Sequence, residues 1–270
     1  MELSVIRTAW QGGKGDRKAS AELWDSLSPR YRLDALPDEG QDSLLKLIAS
    51  EGLLPAGGRA LDVGCGGGRY TLALARKGHA VTGLDFAPQM IAAARENAQR
   101  LKVSPVRFLQ ADWEGLDLRE AGLEKAFDLV FAHMTPAVQS AAGFEKLMAA
   151  SRGACILTKL TRRSHAVQDG AFAQLGMRPF GNDDTIAYAF DLLWTLGYQP
   201  RVAYEPRQWL GRVPVEQMHQ EICRRAAVTR TLSPGEQKAV LRYLQDLAQD
   251  GMIEETSRAT AVTLYWRVDE

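Results

Sequence analysis

The chain has few cysteines, and they form no recognisable group. Among its 270 residues, Cys65, Cys155 and Cys223 are odd in number, far apart in sequence and in no CxxC pair. This argues against a disulfide framework and provides no spacing typical of a zinc site. We therefore expect a protein without a structural metal, in a reducing cytoplasm.

Long apolar runs are also missing. The longest uncharged run, residues 129–144, contains His133, Thr135 and Pro136. It is too short and too polar to cross a bilayer, which takes about 20 apolar residues. The first residues, MELSVIRTAW, lack a basic segment followed by an apolar one. Neither a membrane span nor a secretion signal is expected.

The chain carries no excess charge of either sign. Lys plus Arg (33) equals Asp plus Glu (33), and the sequence pI is near 6.9. This balance disfavours nucleic acid or an anionic membrane as the main partner. A local basic patch is still compatible with it.

What the chain has is a regular alternation of short apolar runs and helical patterns between residues 59 and 160. Alternation of this kind predicts βαβ units and a doubly wound, mostly parallel α/β sheet. The predicted strands cover residues 59–64, 79–85, 106–112, 127–133 and 154–160, and the helices 70–77, 88–101 and 136–150.

The segments on either side of this region predict additional elements. Helical patterns at 19–27 and 38–50 suggest an N-terminal helical cap over residues 1–58, before a core of 59–213. A helix at 183–198, with Asp183 or Asp184 near its start, precedes a strand at 199–211. Two further helices, 214–227 and 234–250, form an inserted pair at 214–251 that is a possible lid. The last strand lies within 252–270, and the second inserted helix opens with the capping box SPGE.

The stretch ALDVGCGGGRYTLALARKGHAVTGLD, residues 60–85, predicts a nucleoside site. Gly64, Gly66 and Gly68 follow the first strand and let the backbone turn sharply against a ligand. Asp85 ends the second strand about 20 residues later, a spacing that suits hydrogen bonds to ribose hydroxyls. NAD enzymes and other nucleoside-binding sheets share both features, so these alone do not identify the ligand.

Three details disfavour a pyrophosphate at this loop. The G-x-G-x-x-G pattern meets Arg69 or Thr71 where its third glycine belongs. Asp62, at the end of the first strand, would repel a pyrophosphate but attract a cation. The P-loop triplet GK[ST] is also missing. A nicotinamide oxidoreductase is therefore disfavoured, and a cationic cofactor is favoured.

Four ordered motifs resemble the class I S-adenosylmethionine-dependent methyltransferases. They are DVGCGGG (62–68), Asp85, LQADWEGL (109–116) and FDLVFAHMTPA (127–137). The resemblance implies a Rossmann-like, seven-stranded sheet. The N-terminal helices and the helical insertion before the last strand are departures from a minimal member of that family. The resemblance also implies S-adenosylmethionine as cofactor and S-adenosylhomocysteine as product.

The resemblance implies a set of cofactor-binding residues. Asp85 is expected at the ribose, Asp62 at the methionine part, Asp112 at the adenine amino group and Trp113 along the adenine face. The remaining candidates lie in the loop, after Asp85 and at the fourth motif, and the full set is Asp62, Gly64, Cys65, Gly66, Gly68, Asp85, Phe86, Met90, Asp112, Trp113 and His133.

His133 is the candidate catalytic residue, because it ends the fourth strand on the side where open α/β sheets bind ligands. A histidine there could act as general base or orient the acceptor. The segment TKLTRRSH (158–165), at the end of the fifth strand and on the same crevice side, offers cations for an anionic substrate group. The substrate candidates are Tyr70, Arg162, Arg163 and His165, with Trp24 and Tyr31 as a possible roof.

The predicted function is methylation of a small-molecule acceptor by in-line transfer, in a monomer or homodimer. The fourth motif reads AHMTPA and differs from the N/D-P-P-Y of members that methylate exocyclic or amide nitrogens. One alternative is a tRNA or protein methyltransferase, which a basic face of Lys14, Arg17, Lys18, Arg162 and Arg163 would favour. Another is a non-catalytic S-adenosylmethionine-binding protein, whose acceptor crevice would be plugged by side chains.

Overall fold

A computed structural model describes residues 2–12, 15–178 and 185–268. Its helices are α1 Leu3–Ala9, α2 Arg17–Leu27, a 3₁₀ turn Ser28–Tyr31, α3 Ser43–Ser50, α4 Arg69–Arg76, α5 Pro88–Arg100, α6 Ala141–Ala150, α7 Ala166–Gln174, α8 Thr185–Thr195, α9 Val215–Ala227 and α10 Pro234–Leu247. Its strands are β1 Arg59–Val63, β2 Ala80–Asp85, β3 Arg107–Gln110, β4 Phe127–His133, β5 Ser151–His165, β6 Arg201–Pro214 and β7 Met252–Arg267.

The seven strands form one sheet in the order β3-β2-β1-β4-β5-β7-β6. Strands β1 to β5 pair in parallel, and β7 runs antiparallel to both of its neighbours. This confirms the predicted doubly wound, mostly parallel sheet. Because the strand order reverses between β1 and β4, a crevice opens at their carboxyl ends, which is where such sheets bind ligands.

The central strands are apolar on both faces because helices cover both sides. Leu61 and Val63 of β1 belong to one buried cluster, and Ala60 belongs to the cluster on the opposite face. In β4, Val130 joins the first cluster and Phe131 the second. The two-residue repeat of the strand therefore divides each apolar run between two cores.

Strand β5 is longer than predicted. The predicted strand ends at residue 160, but residues 161–165 continue β5, which pairs with β7 as far as His165 opposite Ser257. The pairing shifts register between Thr161 and Ser164, and Arg162 within the shift has a φ of 49°. The polar sequence TRRSH has no strand-like alternation, so pairing with β7 through this bulge decides its conformation.

The inserted helical pair is confirmed as α9 and α10 between β6 and β7. The predicted capping box is present: Ser233 Oγ accepts from the Glu236 N–H, and Glu236 Oε2 accepts from the Ser233 N–H at 2.8 Å. Both helices pack against α7, which was not predicted; α9 also contacts β6 and β7, and α7 contacts β5 and β7.

The N-terminal helices correspond to α2 and α3, and α3 begins later than predicted because Asp42 caps it. Helix α1 was not predicted; it is held through Ile6, and the following Trp10 is also in the core. The predicted helix at 183–198 appears as α8, while Asp183 and Asp184 lie outside the described residues. In the described parts of the chain, no helix is both long and apolar enough to cross a membrane.

Candidate functional site

The loop after β1 depends on its glycines. Gly64, Gly66 and Gly68 have φ angles of 75°, 52° and 80°, in the left-handed region that other residues rarely adopt. A Cβ at Gly64 would overlap the Thr135 side chain, and one at Gly68 would press on Phe108 at 3.2 Å. The loop can therefore turn between β1 and α4 only with glycine at these positions.

The carboxylate of Asp85 connects this loop to the end of β2. Its Oδ2 accepts from the Gly66 N–H at 2.9 Å and its Oδ1 from the Ala87 N–H at 3.0 Å. Burial raises the pKa of Asp85, while the hydrogen bonds from Ala87 and Gly66 oppose the rise. Since a carboxylate can accept about four hydrogen bonds, Asp85 can still accept from a ligand.

Asp62 at the end of β1 is a second buried carboxyl group. It is 3% exposed, and its Oδ2 accepts from Thr71 Oγ1 at 2.7 Å. Burial raises the pKa of Asp62 to about 7; hydrogen bonds from Thr71 oppose the rise and the charge of Asp85 adds to it. A cation placed beside Asp62 would favour its ionised form.

Two neighbouring cavities lie at the carboxyl ends of these strands. The main cavity is about 450 Å³ and the adenine-side cavity, so named here because Asp112 and Trp113 line it, is about 170 Å³. All predicted cofactor residues except Gly68 line one or both of these cavities. Trp24, Tyr31 and Tyr70 line the main cavity. Gly68 faces Phe108 and Ala94, so its role is to shape the loop. The main cavity is lined by Asp62, Gly64, Cys65, Gly66, Asp85, Phe86, Met90 and His133, and the adenine-side cavity by Gly64, Asp85, Phe86, Asp112 and Trp113.

The adenine-side cavity is also lined by Arg17, which sequence reasoning did not assign to it. Arg17 at the start of α2 donates from Nη1 to Asp112 Oδ1 at 2.6 Å. Trp113 is 1% exposed, and its Nε1 donates to the Gly143 carbonyl at 2.8 Å, which fixes the ring in the core. A purine there would meet an indole that cannot turn and a carboxylate that is already paired with Arg17.

His133 faces the main cavity with its hydrogen-bonding capacity unused. Both ring nitrogens are buried, and neither has a partner among the described residues. Burial lowers the pKa of His133 to about 4; the charge of Asp42 opposes this, and those of Arg207 and Arg69 add to it. The imidazole is therefore neutral at pH 7, with one nitrogen able to accept a proton or a hydrogen bond.

Tyr70 forms the wall beside His133. The two rings meet edge to face, with centroids 4.9 Å apart. Tyr70 Oη donates to Asp42 Oδ2 at 3.1 Å, while Asp42 Oδ1 accepts from the first amides of α3. Burial and then the charge of Asp42 raise the pKa of Tyr70, so the phenol keeps its proton and positions the wall.

The predicted substrate residues of segment 158–165 are separated by the strand. Arg162 is exposed in the bulge, and His165 bonds through Nδ1 to Ser257 Oγ at 2.7 Å. Neither lines a described cavity, because side chains alternate between the faces of β5 on either side of the bulge. Arg163 does line a third cavity, of about 350 Å³, together with Arg30 and Arg225, which sequence reasoning had not considered.

Comparison with known families identifies the domain that contains this site. The model of a family described as "Methyltransferase domain" matches residues 54–166, which hold the glycine loop, Asp85, Asp112 and His133. Residues 54–166 of the chain therefore form a methyltransferase domain. The resemblance noted in the sequence is thereby confirmed.

Curated relatives of this chain match it over part of their length. A ubiquinone biosynthesis O-methyltransferase from Xanthomonas axonopodis pv. citri is 36% identical over 107 residues, which are 40% of this chain and 41% of that protein. The protein of the same name from Xylella fastidiosa is 43% identical over 72 residues, 27% of each chain. The chain thus spans less than half the length of the relatives it matches.

Solved structures share the fold at low identity. The YcgJ protein of Bacillus subtilis superposes with a TM-score of 0.50 at 17% identity, covering 83% of this chain and 97% of that one. A protein from Bacillus halodurans, described as a candidate methyltransferase, gives a TM-score of 0.52 at 15% identity, covering 84% and 99%. At such identities the likeness concerns the fold.

Proposed function

We propose that this protein transfers a methyl group from S-adenosylmethionine to a small-molecule acceptor. One observation carries the proposal. A crevice with two buried carboxyl groups, Asp62 and Asp85, continues into a cavity of about 450 Å³ that His133 faces with unpaired ring nitrogens. A cationic nucleoside and a nucleophile would both find complementary groups in this space.

The polar and aromatic groups of the crevice support S-adenosylmethionine over a dinucleotide. Asp85 can accept from ribose hydroxyls while it holds the Gly66 and Ala87 amides. Asp62, with a pKa near 7, suits a neighbouring ammonium or sulfonium and would repel a phosphate. Trp113 and Phe86 in the adenine-side cavity offer apolar surface to a purine.

The bound cofactor supplies an electrophilic methyl group. The contribution of the protein is to hold the acceptor in line with it and to exclude water, which can be worth up to about 7–11 kcal/mol in model systems. The rings of Tyr31, Tyr70 and Phe86 line the cavity and support a dry site. This positioning requires no covalent participation by the enzyme.

His133 is proposed as the proton acceptor for the nucleophile. Its pKa of about 4 leaves it neutral at pH 7, so a ring nitrogen can accept a hydrogen bond from an acceptor hydroxyl or amine. As the nucleophile attacks, its proton passes to that nitrogen. Tyr70, bonded to Asp42, supports the orientation of the imidazole through its edge-to-face contact.

The size of the cavity and the relatives named ubiquinone biosynthesis O-methyltransferase support a small acceptor. The macromolecular alternative depends on a basic face, and that face finds less support. Arg17 pairs with Asp112, and Lys18 Nζ lies 3.9 Å from Glu22 Oε1. Lys14 lies outside the described residues. A plugged crevice would have supported a non-catalytic role, and the open cavity argues against it.

Calorimetric titration with S-adenosylmethionine, S-adenosylhomocysteine and NAD tests the cofactor assignment. We expect both sulfur ligands to bind and NAD to give no signal. Incubation with S-adenosylmethionine and a panel of hydroxylated and amino acceptors, followed by mass spectrometry, then tests transfer. Binding of NAD without either sulfur ligand would refute the proposal. Binding of the sulfur ligands with no product from small acceptors, but with product from tRNA or protein, would replace the acceptor class.

A further inference from the structure

A third cavity, of about 350 Å³, lies next to the main one; we call it the basic chamber. Four cationic side chains line it, and among the described residues of its lining there is no carboxylate. The rest of the lining is mainly apolar. The cations are Arg30, Lys159, Arg163 and Arg225, and the other lining residues are Trp24, Leu27, Tyr31, Met134, Thr135, Pro136 and Leu160.

The four cations come from distant parts of the chain. Arg30 belongs to the 3₁₀ turn after α2, and Arg225 to α9. Lys159 and Arg163 lie on the part of β5 that extends past its pairing with β4. The basic chamber is therefore built by the N-terminal helices, the extended strand and the inserted helical pair together.

One carboxylate, that of Glu221, forms ion pairs with two of these cations. Glu221 accepts from Arg30 at 2.6 Å and from Arg225 at 2.8 Å. Burial acts to raise the pKa of Glu221, but the two guanidinium groups together lower it by more. The net pKa is therefore below its usual value, and the group is ionised. Because one negative charge is shared by two guanidinium groups, this triad keeps an excess positive charge.

Lys159 adds a buried ammonium group to the chamber. It is 5% exposed, and its Nζ donates to the Val138 carbonyl at 2.9 Å and to the Thr135 carbonyl at 3.3 Å. An anion entering the chamber would therefore meet a cation that has already lost most of its hydration.

The basic chamber and the main cavity share a wall. The loop after β4, Met134–Pro136, lines both, as do Trp24 and Tyr31. His133 precedes this loop and faces the main cavity. A molecule with one end in the chamber would therefore have its other end near the carboxyl end of β4, where the nucleophile is needed.

We propose that the basic chamber binds an anionic group, a carboxylate or a phosphate, of the methyl acceptor. Arg30, Arg163 and Arg225 offer the planar donor pairs that suit either oxyanion. Trp24, Leu27 and Leu160 cover the apolar part of the same molecule. The acceptor is thus an amphipathic anion with its nucleophile on the opposite side from its charge. This inference rests on the proposed function.

The test is calorimetry on the full chain saturated with S-adenosylhomocysteine. The probes are benzoate, phenyl phosphate and the neutral benzamide, which has the shape of benzoate. We expect benzoate or phenyl phosphate to bind at least tenfold tighter than benzamide, because hydrogen bonds to a charged group are stronger than those between neutral groups. Preference for benzoate over phenyl phosphate, or the reverse, assigns the anion.

Neighbouring arginines provide the matched variants. Arg163→Gln should lower the affinity for the preferred anion about tenfold, with benzamide and S-adenosylhomocysteine unaffected. Arg162→Gln, at the exposed position beside it, should change none of the three affinities. Arg30→Gln gives a second reading should Arg163→Gln fail to fold, as judged by circular dichroism.

Three results would overturn the inference: anions that bind no tighter than benzamide, anions that do not bind, or equal losses in Arg162→Gln and Arg163→Gln. The proposed function has a separate readout in the same experiment. If S-adenosylhomocysteine does not bind, the methyltransferase proposal fails, and titration of the free protein with the same probes still decides whether the chamber selects anions.

Discussion

The Gly66 N–H and Asp85 Oδ2 are joined by a hydrogen bond of 2.9 Å between the glycine loop and the end of β2. The same carboxylate accepts from the Ala87 N–H through its other oxygen. Asp85 therefore fixes the shape of the loop and also lines both cavities of the proposed cofactor site. The geometry of the loop and the proposed binding of the cofactor therefore both involve this one side chain.

Substitution Asp85→Asn should weaken S-adenosylhomocysteine binding about 10- to 100-fold. The asparagine loses the negative charge and turns one acceptor into a donor that faces a backbone N–H, a loss of about 1.5–3 kcal/mol. Calorimetry measures the change, and Asp246→Asn on the exposed surface of α10 is the control. Equal affinities in wild type and Asp85→Asn would exclude ribose contact.

Cofactor affinity should depend on pH through Asp62. Its pKa of about 7, raised first by burial, means that the free protein holds a proton there below pH 7. A cationic ligand favours the ionised form, so affinity should fall as the pH drops from 7 to 5, by at most about tenfold per unit. Calorimetry from pH 5 to pH 8 measures this slope. Asp62→Asn should flatten it, and an unchanged slope would show that Asp62 does not sense the ligand.

Substitution His133→Gln should reduce kcat about 10²–10⁴-fold, the usual effect of removing a general base. His133 lines the main cavity, and its two buried nitrogens have no partner among the described residues; glutamine keeps polarity but cannot take up a proton. Steady-state kinetics on the acceptor found by screening measures the effect. Binding of S-adenosylhomocysteine, measured alongside, should change less than threefold, by about 0.6 kcal/mol or less. A kcat within threefold of wild type would limit His133 to a structural role.

His133 should also make the fold sensitive to acid. Its pKa is about 4 in the folded protein, below the ordinary 6.5, because burial disfavours the charged ring. The unfolded chain therefore binds a proton more readily, and stability should fall by up to about 3 kcal/mol as the pH drops from 6.5 to 4. Urea unfolding at several pH values measures this, and His133→Gln should lose less stability over the same range. If the free energy of unfolding falls equally with pH in the wild type and in His133→Gln, the low pKa of His133 is contradicted.

Substitution Gly64→Ala should destabilise the protein by about 1–3 kcal/mol. The residue has a φ of 75°, and an added Cβ would overlap the Thr135 side chain. Gly115→Ala is the matched control, since a Cβ there meets nothing within 4 Å and its backbone is not in the left-handed region. Thermal unfolding of both variants gives the comparison. A similar melting temperature for the two would show that the loop accommodates a side chain.

Local patterns predicted the central sheet and the position of the cofactor crevice. The apolar runs of β1, β2 and β4 can be recognised because each strand is buried on both faces, so that most of its residues are apolar. The glycines 64, 66 and 68 and the capping box at Ser233 are also short-range signals. Each of these signals depends on a few consecutive residues, so it can be recognised from the sequence alone.

Local patterns did not predict the extension of β5 or the pairing of Asp112 with Arg17. The polar residues 161–165 are a strand only because β7 pairs with them. Arg17 and Asp112 are 95 residues apart in the sequence, so no local pattern predicts their contact. In both cases the deciding partner is distant in the chain.

The sequence by itself determined the sheet, the glycine loop and the carboxylates Asp62 and Asp85, since backbone geometry and side-chain chemistry act within a few residues. Tertiary structure alone decided which polar groups were removed from water and which were brought together. It isolated the imidazole of His133 and placed Arg30, Lys159 and Arg225 around one cavity. Burial and long-range contact set the charge and reactivity of these groups, and neither is encoded in the order of neighbouring residues.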